Sequence, residues 1–325
     1  MNEFAAIEKL FRPLSLGDVS ARGLQDDIAY IEKLRLAITT DTLVEGTHFL
    51  PSDPMASVAR KLVRVNLSDI IAKGCEPIGV FLNISWPRNT TEPQRSEFAT
   101  ALGEELSGIP LLGGDTTAID GPMVASLMML GKPHAKHPIF RNGAKAGDLL
   151  LVSGTIGDAL IGLQALKSGV NEGKYEGAIA HYQMPNLPPI AISKLIAKYA
   201  NASIDASDGL LGDASKIAVC SNIGIEIEIA KIPLSADATD WIKKSKSDNP
   251  ILELASFGDD YQCLFTINPN SLEKTLVKAK KLGISLSIIG KCTKNLGMAL
   301  TQNGEEIDLP VKLSHEHEFS HLSVS

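Results

Sequence analysis

The placement of the aspartates limits this chain more than any other feature of its sequence. Asp69 lies inside Val65-Asn66-Leu67-Ser68-Asp69-Ile70-Ile71, and Asp41 ends the apolar run from Leu36, flanked by Thr39, Thr40 and Thr42. Asp115 follows Ile109-Pro110-Leu111-Leu112-Gly113-Gly114. Asp205 and Asp208 lie in Ile204-Asp205-Ala206-Ser207-Asp208-Gly209, and Asp259 and Asp260 in Phe257-Gly258-Asp259-Asp260-Tyr261. An unpaired buried carboxylate is costly, so such groups meet a metal or a cation. Too few basic residues stand beside these acids to pair them all. The preferred reading is a converging set of oxygen ligands for hard divalent cations, above all Mg2+. N-caps and Asx-turns are the ordinary use of Asp before Gly, and spacing alone leaves that alternative open.

With 325 residues, 44% of them hydrophobic, the chain can bury one large core or two ordinary ones. Its net charge of -7 argues against nucleic acid or a membrane surface as a non-specific partner. A polyphosphate substrate would need cations to be held here. No apolar run reaches the roughly 18–20 residues of a membrane span, and Met1-Asn2-Glu3-Phe4 does not open a signal peptide. Cys75, Cys220, Cys263 and Cys292 are scattered and read as buried free thiols of a cytoplasmic protein.

Short apolar runs alternate with helical patterns and Gly-rich turns, which predicts a mixed α/β and α+β protein. Strands are expected at 36–40, 78–86, 123–131, 149–153, 224–229, 261–267 and 285–289. Helices are expected at 54–73, with Asp53-Pro54 as N-cap and first residue and Gly74 as stop, and at 92–107, 158–168 and 209–222. The stretch 132–147 reads as a connection, which divides the chain into lobes 1–142 and 143–325. The strand 78–86 ends at Pro87, and the strand 123–131 is apolar nearly throughout and reads as buried.

The turns Gly113-Gly114-Asp115-Thr116-Thr117 and Gly154-Thr155-Ile156-Gly157-Asp158 are placed at strand ends, where glycine lets a phosphate approach backbone N–H groups or simply makes a tight turn. Neither a P-loop nor a Rossmann fingerprint is present, and no G-x-S-x-G elbow or H-E-x-x-H occurs. His48 lies seven residues past Asp41, and Arg141 sits in the connection, where a cation reaches phosphates or solvent. His315, His317 and His321 read as an exposed tail.

Taken together these segments resemble the thiamine-monophosphate kinase family of the aminoimidazole ribonucleotide synthetase group. The resemblance runs through Gly23-Leu24-Gln25-Asp26-Asp27, Thr39-Thr40-Asp41-Thr42-Leu43-Val44-Glu45-Gly46-Thr47-His48-Phe49, Val65-Asn66-Leu67-Ser68-Asp69, Gly113–Thr117, Arg141-Asn142-Gly143-Ala144-Lys145-Ala146-Gly147-Asp148, Gly154–Asp158, Asp205–Gly209 and Gly258–Tyr261, in the family's order. It implies transfer from ATP to thiamine phosphate, and a two-lobed fold whose N-terminal lobe dimerises through its sheet. It implies Asp27, Thr39, Thr40, Asp41, Asp69, Asp115, Asp205 and Asp208 as metal ligands. Gly114, Asp115, Arg141 and Ser207 fall at ATP contacts, and His48, Asp259 and Phe319 at acceptor contacts. Two residues depart from the pattern: Gln25 replaces a glycine, and Asp259 replaces a glutamate.

The acceptor implied is a phosphate monoester whose second pKa is near 6, so no side chain need act as general base. Metal ions at the aspartates would neutralise the converging phosphates. The thiazolium cation is expected beside Asp259 or the face of Phe319. Three alternatives remain: a sibling ATP-using synthetase of the same fold, a metal-dependent phosphohydrolase, and a non-catalytic thiamine-phosphate binding protein.

Overall fold

A computed structural model describes residues 3–169 and 174–314. After a four-residue helix α1 (Glu3–Ala6) come β1 (Ala29–Ile31), β2 (Leu36–Val44), α2 (Met55–Ala72), β3 (Cys75–Pro87), α3 (Glu92–Leu106), β4 (Leu111–Ile119) and β5 (Val124–Pro133). The second lobe runs β6 (Leu149–Ser153), α4 (Asp158–Ser168), α5 (Glu176–Gln183), α6 (Ile192–Tyr199), β7 (Ala200–Asp205), α7 (Leu210–Ser221) and β8 (Gly224–Glu228). It continues through α8 (Ala236–Lys244), α9 (Pro250–Ser256), β9 (Cys263–Ile267), α10 (Leu272–Lys281), β10 (Leu286–Thr293), β11 (Gly297–Gln302) and β12 (Glu305–Ile307). The first sheet is ordered β1-β2-β5-β3-β4 and the second β12-β11-β8-β10-β6-β9-β7.

Helix α2 joins the two lobes. It packs on β2, β5 and β3 of the first sheet and on β7, β9 and α6 of the second lobe. Thirteen of its 18 residues are buried. On the buried part of a helix polar side chains cannot reach water. Lys61, Asn66, Ser68 and Asp69 therefore point into the seam between the lobes or into the protein. Asp53 is not the N-cap; its carboxylate instead accepts from Leu50 N at 2.8 Å and Gln183 Nε2 at 2.8 Å. The helix stops at Gly74, whose φ is +67° and where a Cβ would lie 3.0 Å from Ala197 atoms.

Several strands extend beyond their predicted ends. Asp41 is interior to β2, since Thr42, Leu43 and Val44 keep pairing with β5. The Gly113–Thr117 segment is not a turn but the middle of β4, which runs parallel to β3. Gly114 has φ +147°, and a Cβ there would fall 1.7 Å from Leu82 O, so only glycine fits. The two apolar strands are buried on one face only. Ala125, Leu127, Met129 and Val80 face α2, whereas Met128, Phe81 and Ile78 are exposed on the other face, beside the exposed Leu111 and Leu112 of the edge strand β4. Of the cysteines, Cys75, Cys263 and Cys292 are buried free thiols and Cys220 is partly exposed. Among the described residues no helix is long and apolar enough to cross a membrane.

Candidate active site

Three elements bring the acids together: the loop before β1 carries Asp26 and Asp27, α2 carries Asp69, and β7 ends in Asp205. Ligand atoms of Asp27, Asp69 and Asp205 lie within 4.8 Å of one another. Asp41 reaches the same seam from β2, its backbone N–H donating to Asn66 Oδ1 at 3.0 Å. Thr39 donates its hydroxyl to Asp69 and also to Asp27 O. Like charges this close in a buried place resist ionisation. Burial, then Asp27 and Asp208, push the Asp41 carboxyl up to about 6. Burial, then Asp205, Asp41 and Asp27, push Asp69 well above the usual carboxylate range. Burial, then Asp27 and Asp213, do the same to Asp205, whose Oδ1 is buried without a hydrogen-bond partner.

The acids are not neutralised evenly. Asp27 is ion-paired to Lys73 and to Arg141, and Lys73, fully buried, also lies 3.0 Å from Asp26. Burial opposes the Asp27 charge, but Arg141 and Lys73 outweigh it and hold that carboxyl far below its usual value. Lys216 pairs with Asp208 at 2.5 Å and Asp213 at 2.7 Å. Among the described residues, Asp41, Asp69 and Asp205 are in no ion pair. An orphaned carboxylate oxygen inside a triad of hard oxygen donors suits a divalent cation such as Mg2+.

Asp26, Arg141, Asp208 and Lys216 line a cavity of ≈ 1130 Å³. Ile7, Leu24, Val219 and Leu313 supply its apolar wall. The cavity thus combines charged and apolar lining. Gln25 sits on its rim with φ -120°, open to any L-residue, so its replacement of glycine strains nothing here.

At the other end of the seam the turn after β2 carries His48, whose Nδ1 accepts from Val44 N at 3.0 Å. Lys61, 1% exposed, donates to His48 O and to Asp259 Oδ2, both at 2.9 Å, and lies 4.4 Å from the Tyr182 ring centre. Tyr261 donates its hydroxyl to Asp259 Oδ1 at 3.0 Å. Burial works against the Asp259 charge, but Lys61 prevails and keeps its carboxyl below the usual value. The loop is held to Ser207 and Ala206 by Asp259 N and Tyr261 N, each 2.8 Å from its acceptor carbonyl. At Gly258 a Cβ would fall 2.2 Å from Ser207 O.

The structure thus gathers Asp27, Thr39, Asp41, Asp69 and Asp205, with Arg141 and Asp208 on the adjoining wall, and His48 with Asp259 at the far end. Ser207 joins the two ends through its backbone, and Thr40 is exposed on the outer face of β2. It does not bring Asp115 there. Asp41 pairs with Leu127, Leu127 with Leu82, and Leu82 with Gly114, so Asp115 is three strand spacings away, about 14 Å along the sheet. The Gly154–Asp158 turn offers no open phosphate cradle, because Gly157 N already donates to both Asp260 oxygens at 2.9 Å. Phe319, like His315, His317 and His321, lies outside the described residues. Sequence reading missed Lys61, Lys73, Asp213 and Lys216. No local signal marks Lys61, which follows Arg60 in a helix that also carries Arg64, Asn66, Ser68 and Asp69.

Comparison with known proteins fits this geometry. Residues 25–132 match the AIR synthase related protein N-terminal domain, and 145–302 its C-terminal domain. The thiamine-monophosphate kinase of Caulobacter vibrioides is 38% identical over 322 residues, 97% of this chain and 90% of that protein. That of Escherichia coli K12 is 33% identical over 321 residues, 95% and 96% of the two chains. A solved structure described as "AaThiL complexed with AMPPCP and TMP" superposes with a TM-score of 0.83 at 30% identity, covering 97% of each chain. The hydrogenase maturation protein HypE of E. coli, at 20% identity and a TM-score of 0.70, shares the fold. On this sequence and structural agreement across nearly its whole length, the chain belongs to the thiamine-monophosphate kinase family.

Proposed function

We propose that the chain transfers the terminal phosphoryl group of ATP to thiamine phosphate, giving ADP and thiamine diphosphate. The observation that carries this reading is the buried triad of Asp27, Asp69 and Asp205, joined by Asp41, with Asp27 ion-paired to Arg141 on the wall of the adjoining cavity. Asp27, Thr39, Asp41, Asp69 and Asp205 would hold the divalent ions, with Thr40 at the sheet's outer face. Such ions supply neutralisation of the charge on the transferring phosphoryl group. The protein's own part is positioning. Arg141 and Lys216 face the phosphate chain, and the apolar wall takes the base. At the acceptor end, His48, Asp259 and Phe319 are read as thiamine contacts. No side chain is assigned as general base, because the acceptor phosphate is already largely dianionic at neutral pH.

Gly114 and Asp115 fit this reading through a second copy. Their strand is an exposed edge, and the outer sheet face beside it presents Phe81 and Met128 to solvent. An apolar face next to an open edge suits a two-fold sheet-to-sheet dimer, and Asp115, in register with Asn83, Ser126 and Thr42, is read as acting at that face. The lobes are drawn at 1–142 and 143–325, and the cytoplasm is where both substrates are available to it.

The test is a coupled ADP assay with ATP, Mg2+ and thiamine phosphate, with free thiamine as control acceptor. ADP should appear only with thiamine phosphate. ADP release without any acceptor would make the chain a phosphohydrolase, and no ADP at all would leave a binding protein. Light scattering should give twice the chain mass; a monodisperse monomer at micromolar concentration would rule out the dimer.

A further inference from the structure

Four buried charges close a ring beside the aspartate triad, and the proposed reaction gives one of them, Lys73, no part. Lys73 follows the last residue of α2, and its side chain is fully buried. Its Nζ donates to Ser203 O at 2.6 Å, lies 3.0 Å from Asp26 Oδ1 and is ion-paired to Asp27 Oδ2. Arg141 holds the other oxygen of each acid. Its backbone N–H donates to Asp26 Oδ2 at 2.9 Å and its Nε to Asp27 Oδ1 at 3.0 Å. The side chains of Asp26 and Asp27 are only 5% and 4% exposed. The ring carries two positive and two negative charges. It ties together the loop before β1, the end of α2, the connection between the lobes and, through Ser203, β7.

Two neighbouring buried carboxylates need two counter-charges. With Lys73 in place, Arg141 stays at the edge of the ring, where it lines the cavity. Without Lys73 both acids would share the Arg141 guanidinium, and their attraction would draw it inward from the cavity. We propose that Lys73 is a positioning residue of the nucleotide site, which acts through Asp26 and Asp27 to hold Arg141 at the cavity wall for the phosphate chain. Lys73 does not displace a divalent ion from Asp27. A carboxylate offers about four lone-pair sites, and Asp27 Oδ2 accepts no hydrogen bond among the described residues. The inference rests on the ATP-binding part of the proposed function, not on the identity of the acceptor.

The experiment is calorimetric titration with a non-hydrolysable ATP analogue at saturating Mg2+, beside the KM for thiamine phosphate at saturating ATP. Lys73→Met should bind the analogue about tenfold more weakly and keep the thiamine phosphate KM within about twofold of native. The double variant Lys73→Met, Asp26→Asn restores the charge balance, and the new amide oxygen can still accept from Arg141 N. Its affinity for the analogue should recover to within about threefold of native, although both variants lose the bond to Ser203 O. A role in folding alone would leave the two variants alike toward the analogue. Unchanged analogue affinity in Lys73→Met, equal losses for both substrates, or a double variant as weak as the single one overturns the proposal. If Lys73→Met does not fold, the double variant decides alone, and tenfold weaker binding by it overturns the proposal. Failure of both to fold also overturns it, because Lys73 would then serve the fold and not the site. Absence of analogue binding in the native protein would instead refute the ATP reading itself.

Discussion

The two ends of the interlobe seam solve the problem of buried charge in opposite ways. At the acceptor end one carboxylate, Asp259, meets one ammonium, Lys61, and a tyrosine hydroxyl takes its other oxygen. The charges match and the geometry is complete within the protein. At the nucleotide end Asp41, Asp69 and Asp205 are left with each other, and their proton affinities rise accordingly. A matched pair is satisfied within the protein, whereas unmatched carboxylates suit a divalent cation. On the proposed reading, the acceptor end is thus built for position and the nucleotide end for charge.

Exchanging charge for shape at the unmatched end should have the largest effect. Asp41→Asn and Asp69→Asn keep volume but remove ligand charge, so kcat should fall by about two or more orders of magnitude. Metal-free thermal stability should hold or rise, because each change removes an unpaired buried charge. Near-normal turnover of both variants at saturating Mg2+ would erase the distinction between the two ends.

Breaking the matched end should act on stability and on one substrate only. Lys61→Met strands the Asp259 carboxylate and should cost about 3 kcal/mol of folding stability. It should also raise the KM for thiamine phosphate about tenfold with little change in the ATP KM. Equal shifts in both KM values would mean that Lys61 orders the seam as a whole.

The pH response should separate the ends more gently. Asp41 and Asp213 are raised to about 6 in the metal-free fold. The native state therefore binds more protons than the unfolded chain between about pH 4 and 6, and their contribution to stability grows as pH falls through that window. Metal-free protein should accordingly gain Tm between pH 7 and pH 5, while Mn2+ affinity falls over the same interval because the ligands must be ionised. Asp27 and Asp259, both depressed, act in the opposite sense only nearer pH 4 and below. A Tm that drops steadily from pH 7 in the absence of metal would contradict the raised carboxyls.

The smallest effect is expected at Asp259→Glu. The shorter side chain leaves no gap here, since both oxygens are already engaged and the residue sits at φ +70°. One more methylene must displace Lys61 or Tyr261, so the KM for thiamine phosphate should rise two- to threefold, about 0.4–0.7 kcal/mol. A lower KM would mean that the pair with Lys61 gives way when the acceptor binds.

The central helix and most strands were legible because periodicity and turn residues are local signals. The limits of that reading are physical. The two glycines of β4 look like turn punctuation in the sequence, whereas Gly114 is there because a Cβ would fall 1.7 Å from Leu82 O. The strand 123–131 was read as buried throughout because a run of apolar residues does not reveal that one face is left open. At 154–158 a phosphate cradle and a tight turn are both open on sequence, and the structure decides for the turn, since Gly157 N donates to the protein's own Asp260.

What the amino-acid sequence determined by itself was the chemistry available: aspartates embedded in apolar segments, a central helix that could not keep its polar groups in water, and a set of motifs in one order. What only the tertiary structure decided was which charge answers which. Lys61 and Asp259 are separated by 198 residues and Arg141 and Asp27 by 114. No spacing rule reaches that far. Pairing a buried charge depends on a few ångströms of approach and on exclusion of water, and both exist only after the two lobes have closed on α2.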